Sequence, residues 1–258
     1  MRIFYVILSI ILLDFSLAFS LEDKIFIAVY DRPPFVIFDK DTGLPKDGIL
    51  YKQAIKILEK SRISYEFKEM PLIRSLEIIK KNEMKICTIY AYKSKDREAY
   101  SFFSEPYYSE KRLVLVALKN SEIVNKAKTL EELLKIDDFK IQLKVGYSYG
   151  LNADQLVKKY KNFSNSIDKV ADERKIYLTS DNILEMLYNI VKKKADYMLI
   201  NGSEFEYFYN LEYELKENLQ YKLFPDIPEG EKRYFMCSYK VGEELINKIN
   251  KTIKFFQK

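Results

Sequence analysis

The chain has 258 residues, 48% hydrophobic and 31% charged, with a formal net charge of +5; this suffices for a substantial core in one large domain or two smaller ones and points to a globular protein. The absence of histidine excludes imidazole-based triads and imidazole metal sites. Lys and Arg are scattered among Asp and Glu rather than gathered into the basic stripe of a nucleic-acid binder, so no nucleic-acid partner is expected.

The first twenty residues, MRIFYVILSIILLDFSLAFS, read as a secretory signal peptide: Arg2, an apolar run over 3–13, then Ala18-Phe19-Ser20 as the small-residue cleavage site. Asp14 ends the run well short of the roughly 20 residues that span a bilayer, which favours cleavage after Ser20 and a periplasmic location over a membrane anchor. No cysteine follows the run, which argues against a lipid anchor. Cleavage removes one Arg and one Asp, so the net charge is kept.

KIFIAVYDRPPF then reads as a strand over 25–29 broken at Pro33-Pro34, with a turn at Asp41-Thr42-Gly43. After Gly48, the residues Leu50, Ala54, Ile57 and Leu58 fall at helical spacing, and 61–67 leads into a second strand. A β-α-β unit of this kind pairs its strands in parallel through the helical crossover. PLIRSLEIIKKNEMKICTIY repeats the design, with a helix carrying Leu72, Leu76 and Ile79 and a strand over 85–89. SDNILEMLYNIVKKKADYMLING does so again, with Ile183, Leu187, Ile190 and Val191 on one face and a strand over 196–200. Between them lie a continuous apolar strand (112–119), a helix (128–136) with Thr129 as N-cap and Glu132 three residues on, and IQLKVGYSYG (141–150), a strand ending at a glycine turn. The chain closes with a strand (233–240) and an amphipathic helix aligning Leu245, Ile249, Ile253 and Phe256. No Pro/Gly/Ser-rich linker separates the two similar α/β halves, so strands cross between them, as in a hinged two-lobe clam with a cleft.

Open α/β sheets bind ligands at the carboxyl ends of their strands, here 30–35, 89–97, 147–150 and 201–202. Within 89–97, Ser94 is a fitting N-cap for the short turn KDREAY, which places Arg97 in the first turn, where the helix dipole disfavours a cation. Arg97 there makes sense beside an anion, since its fork binds carboxylates bidentately; pairing with Asp96 or Glu98 on the surface is the equal alternative. Tyr30, Tyr90, Tyr92, Tyr107, Tyr108, Tyr147 and Tyr149 lie at or near strand ends. Because the chain holds 21 tyrosines and no tryptophan, only two or three of these are expected at the cleft. Arg32 and Arg74 are ambiguous between cleft and solvent, with surface placement the expectation for each. No Gly-rich phosphate loop, CxxC pair or metal-spaced carboxylate cluster appears, so no cofactor, metal or catalytic residue is assigned. Cys87 and Cys237 in an exported chain are either one disulfide or two buried thiols.

PPF (33–35), Gly48-Ile49, KDREAYSFFSEPYY (95–108), VGYSYG (145–150), KKADYMLIN (193–201) and YFMCSYKVGEELINKIN (234–250), in this order and spacing, resemble the family-3 extracellular solute-binding proteins, the receptors of polar amino acid ABC transporters. The resemblance implies the type II periplasmic-binding fold, α/β in class, with lobe I from 21–108 and 237–258, lobe II from 109–236, and crossings near 107–111 and 233–237. It implies that Arg97 grips a ligand carboxylate and that Cys87 and Cys237 form a disulfide. Together with the strand ends read above, the expected ligand set is Arg97, Tyr30, Arg32, Arg74, Tyr90, Tyr92, Ser148, Tyr149, Gly150 and Asn201. Two departures matter: Tyr90 and Tyr92 stand where the family is usually small, and Asn201 stands where it uses an aspartate for the ligand's ammonium. A carboxylate with an aromatic or apolar body therefore fits about as well as an amino acid. The implied protein is a monomeric, non-enzymatic binder delivering a small ligand to a membrane permease; a receptor for a membrane sensor and a dehydratase-like enzyme are the alternatives.

Overall fold

The computed structural model describes residues 24–163 and 171–257; the signal-peptide expectation falls on residues 1–20, outside them. The first lobe runs through β1 (Ile25–Val29), a hairpin of β2 (Ile37–Phe38) and β3 (Pro45–Asp47), α1 (Ile49–Lys60), β4 (Tyr65–Glu69), α2 (Leu72–Lys81), β5 (Ile86–Ala91), the one-turn α3 (Lys95–Glu98), β6 (Phe102–Phe103) and β7 (Tyr108–Ser109). The second holds β8 (Leu113–Leu118), α4 (Glu122–Lys126), α5 (Leu130–Leu134), β9 (Ile141–Lys144), α6 (Leu151–Lys161), β10 (Ile176–Thr179), α7 (Ile183–Val191), β11 (Tyr197–Asn201), α8 (Gly202–Leu211), α9 (Tyr213–Asn218) and β12 (Leu219–Lys222). The chain then returns to the first lobe as β13 (Lys232–Cys237), a 3-10 turn (Tyr239–Val241) and α10 (Glu243–Phe256).

Each lobe is built on one mixed sheet, ordered β4-β1-β5-β13-β6 with β7 also on β13, and β10-β9-β11-β8-β12. The parallel pairs β1/β4 and β1/β5 follow from the helical crossovers that the sequence supplies. Strands covered on both faces read as unbroken apolar runs, and all six residues of β5 are buried accordingly. Leu50, Ala54, Ile57 and Leu58 of α1 are the buried face expected from their spacing. The last helix differs: Ile246, Ile249, Thr252 and Ile253 are its buried stripe, Leu245 is only partly covered, and Phe256 stays 37% exposed with the Lys56 ammonium 4.2 Å above its ring. Thr129 caps α5 by accepting from the Glu132 amide at 3.1 Å, while the Glu132 carboxylate turns to the Lys128 amide, so the capping box is not reciprocal.

Two boundaries shift. The strand expected over 141–150 ends at Lys144, because the positive φ of Gly146 and Gly150 turns the chain into a loop. β13 belongs wholly to the first sheet, pairing Tyr234 with Ala91 and Cys237 with Cys87. The second crossing therefore precedes Lys232 rather than lying over 233–237, and a lobe boundary at 236 would cut this strand. The crossings run side by side, with the Tyr107 amide donating to the Arg233 carbonyl and the Glu110 amide to the Glu231 carbonyl, both at 3.0 Å. Cys87 and Cys237 form a disulfide between β5 and β13.

Candidate functional site

The carboxyl ends of β1 and β5 face those of β9 and β11 across a narrow cleft, with about 560 Å³ of empty space counting the part open to solvent. Much of the wall is apolar, with Leu72 and Ala91 from the first lobe and Leu113, Ile183, Met186 and Met198 from the second. Three guanidiniums reach it, those of Arg32, Arg97 and Arg233, and Glu204 is the one carboxylate among its lining residues.

Arg97 stands where the sequence places it. Ser94 caps α3 by accepting from the Arg97 amide, and the side chain turns into the cleft, where Nη1 donates to the Tyr92 carbonyl at 3.1 Å. Asp96 and Glu98 do not pair with it: among the described residues no carboxylate forms an ion pair with Arg97, and Glu98 pairs with Lys93 at 2.8 Å. Burial pushes the Arg97 guanidinium below its usual value, partly offset by Tyr100 and Asp154. Such a cation gains most from a ligand anion, which replaces the lost hydration with charge-assisted hydrogen bonds.

Arg233 is tied differently. Its Nε donates to Glu110 Oε1 at 2.6 Å, Nη1 donates to the Tyr90 carbonyl, and its guanidinium carbon lies 3.6 Å from the centroid of the Tyr92 ring. The Tyr92 hydroxyl donates to Glu110 Oε2 at 2.5 Å, and Asn201 Nδ2 donates to the same oxygen at 3.0 Å. Burial works most strongly against the Arg233 charge, but the charge and hydrogen bond of Glu110 together with Tyr92 outweigh it and hold the proton more firmly than usual. Asn201 is thus spent on the hinge: Nδ2 also donates to the Lys111 carbonyl at 2.9 Å, and Oδ1 caps α8 by accepting from the Ser203 amide.

Arg32 overturns its expected surface placement. It is 5% exposed, and its Nε and Nη2 donate to the two oxygens of Glu204 at 2.8 and 2.9 Å. The rings of Phe35, Tyr90 and Tyr147 lie 5.0–5.7 Å from its guanidinium carbon, and cation–π attraction offsets part of its desolvation. Glu204, 2% exposed, sits in the first turn of α8, the end of a helix that favours a carboxylate. Beside this pair the Tyr30 and Tyr147 hydroxyls share a 2.6 Å hydrogen bond between the lobes.

Of the expected set, Arg32, Tyr90, Tyr92, Arg97, Ser148, Tyr149 and Asn201 line the cleft. Tyr90, Tyr92, Tyr147 and Tyr149 do so among the tyrosines, four rather than two or three. Tyr30 braces the wall through Tyr147 instead. Gly150 caps α6 and borders a smaller hollow of about 260 Å³ near the hinge. Arg74 is turned to solvent beside Glu77, 3.5 Å away, because the helix buries Ser75, Leu76, Ile78 and Ile79 instead. Ser148 Oγ donates to Asp154 Oδ2 at 2.5 Å, and the Tyr149 amide donates to Oδ1 at 2.9 Å. Burial raises the Asp154 pKa, and these hydrogen bonds oppose the rise. Glu204, Arg233 and Glu110 were not foreseen. Asn201 with Glu204 three residues on is a cap-like signal for the first; the other two lie in crossings whose adjacency no local pattern reveals.

No protein-family model and no curated protein matches the chain. Several solved structures are similar to it. An ancestral arginine-binding protein bound to arginine has a TM-score of 0.69 at 18% identity, covering 92% of this chain and 94% of that one. A chain solved in connection with glutathione import via GshT and the cystine ABC importer TcyBC of Streptococcus mutans also has a TM-score of 0.69, at 17% identity and 92% and 90% coverage. An ancestral amino acid-binding protein that is a precursor of cyclohexadienyl dehydratase has a TM-score of 0.66 at 19% identity and 91% and 90% coverage. With its two mixed sheets, its paired crossings and the cleft between them, the chain has the type II periplasmic-binding fold.

Proposed function

We propose that this chain is an extracellular solute-binding protein of the family-3 kind, exported through a cleaved leader, that captures a small carboxylate-bearing ligand between its lobes as a monomer and delivers it to an ABC-type membrane transporter. The observation that carries the reading is Arg97, a partly buried residue lining the interlobe cleft whose guanidinium has a carbonyl, not a carboxylate, as its partner. Ligand contacts made by both lobes at once favour a closed arrangement, the general basis of hinge-driven capture. The similar proteins that bind amino acids or work in import support the same reading. Binding is favoured over turnover because Glu204, the carboxylate among the lining residues, is held at both oxygens by Arg32 and is poorly placed to move a proton.

The test is a thermal-shift screen over amino acids, dicarboxylates and small sugars, followed by calorimetric titration of the best ligand. Arg97→Ala is expected to lose about 2 to 5 kcal/mol of binding free energy and with it the ligand-induced rise in Tm. Undiminished affinity in that variant removes Arg97 from the site and the reading with it.

A further inference from the structure

We infer that the ligand carries no ammonium group: the cleft is built for a monocarboxylate with a neutral, largely apolar body, such as a deaminated counterpart of an amino acid. This rests on the carboxylate-binding reading of Arg97 and specifies its ligand class. The inference comes from the charge pairing at the wall. Three guanidiniums line the cavity; Arg32 is matched by Glu204 and Arg233 by Glu110, which leaves Arg97 for the ligand's single negative charge.

An ammonium entering the same space lacks a receiving carboxylate. Both Glu204 oxygens accept from Arg32, whose own cation repels a second one. Both Glu110 oxygens are engaged by Arg233, Tyr92 and Asn201. Both Asp154 oxygens are held by Ser148 and the Tyr149 amide, and Asp154 does not border the cavity. Asn201 offers no charge, and its amide is consumed by Glu110, the Lys111 carbonyl and the α8 cap. Leu72, Ala91, Ile183, Met186 and Met198 line the same cavity, and the polar side chains beside them, Ser148 and the tyrosines, carry no charge, a lining that favours apolar ligand atoms and penalises an unpaired ammonium.

The experiment uses matched ligand pairs on the purified wild-type protein: hydrocinnamate against phenylalanine, and isocaproate against leucine, compared by thermal shift and calorimetric titration. The carboxylate lacking the amine is expected to bind about tenfold or more tightly than its amino acid, the scale of one unpaired charged group. Amino acids that bind as tightly or more tightly overturn the inference and leave the carboxylate-binder reading standing. Failure of all four probes to bind at millimolar concentration, while another carboxylate of the screen does bind, overturns the inference alone; failure of every carboxylate overturns both. Arg32→Gln, which releases Glu204, is expected to shrink the preference in a folded variant, and an unchanged preference overturns the assignment to this ion pair. If that variant does not fold, the wild-type comparison decides.

Discussion

Removing either member of the Arg32–Glu204 pair leaves a charge buried among aromatic rings without its counter-ion. Arg32→Met or Glu204→Leu alone is expected to cost about 3 to 5 kcal/mol, whereas the double variant, which removes both charges, is expected to be closer to wild type than either. Urea unfolding of all four proteins measures this; additive losses would show that the pair does not act as a unit. The partners are 172 positions apart, which explains why the pair was illegible in the sequence. Arg97 was legible because its position is set locally, by the Ser94 cap and the strand delivering it. Arg32 looked like a surface residue because the carboxylate and two of the three rings that pay for its burial, those of Tyr90 and Tyr147, come from distant segments.

At the scale of elements, α1, α2 and α7 were readable because burial on one face leaves a helical repeat in the sequence, and β1 because a strand covered on both faces is a continuous β-branched and aromatic run. The short β6 and β7 and the end of β9 were not, because two-residue pairings and glycine-directed turns leave little pattern. The two crossings illustrate how close such backbone packing is. A Cβ on Gly230 collides with the backbone carbonyl of Glu110 on the neighbouring crossing. Gly230→Ala is therefore expected to force the crossings apart, at about 1 to 3 kcal/mol. A urea midpoint equal to wild type would show that the crossings can separate freely.

For the whole molecule, tyrosine is the principal large aromatic of both lobes, and this sets an alkaline limit. Burial raises the pKa of Tyr30, Tyr90, Tyr92, Tyr107, Tyr147, Tyr149 and Tyr197 above the ordinary value of 10.0. Above that pH the unfolded chain releases these protons while the native state keeps them, so the tyrosine contribution to stability is complete below about 10 and falls as pH rises further. Lys144 works in the opposite sense: burial lowers it from 10.5 to about 8, so its contribution to stability rises between those values. Seven groups against one make the tyrosine effect dominant above pH 10. Tm followed against pH, together with tyrosinate absorbance, should show these tyrosines ionising with unfolding; ionisation of all of them near pH 10 in a folded protein would contradict their burial.

The return of β13 to the first sheet also orders events in time. β13 lies between β5 and β6 and is the strand on which β6 and β7 pair, yet it follows every strand of the second lobe in the chain. While the protein is being synthesised, the second sheet has all its strands before the first can be closed. Until residues 232–237 emerge, β5 keeps an open edge and Cys87 has no Cys237 to join. The hinge, which forms only when β7 and β13 meet, is among the last parts of the molecule to exist.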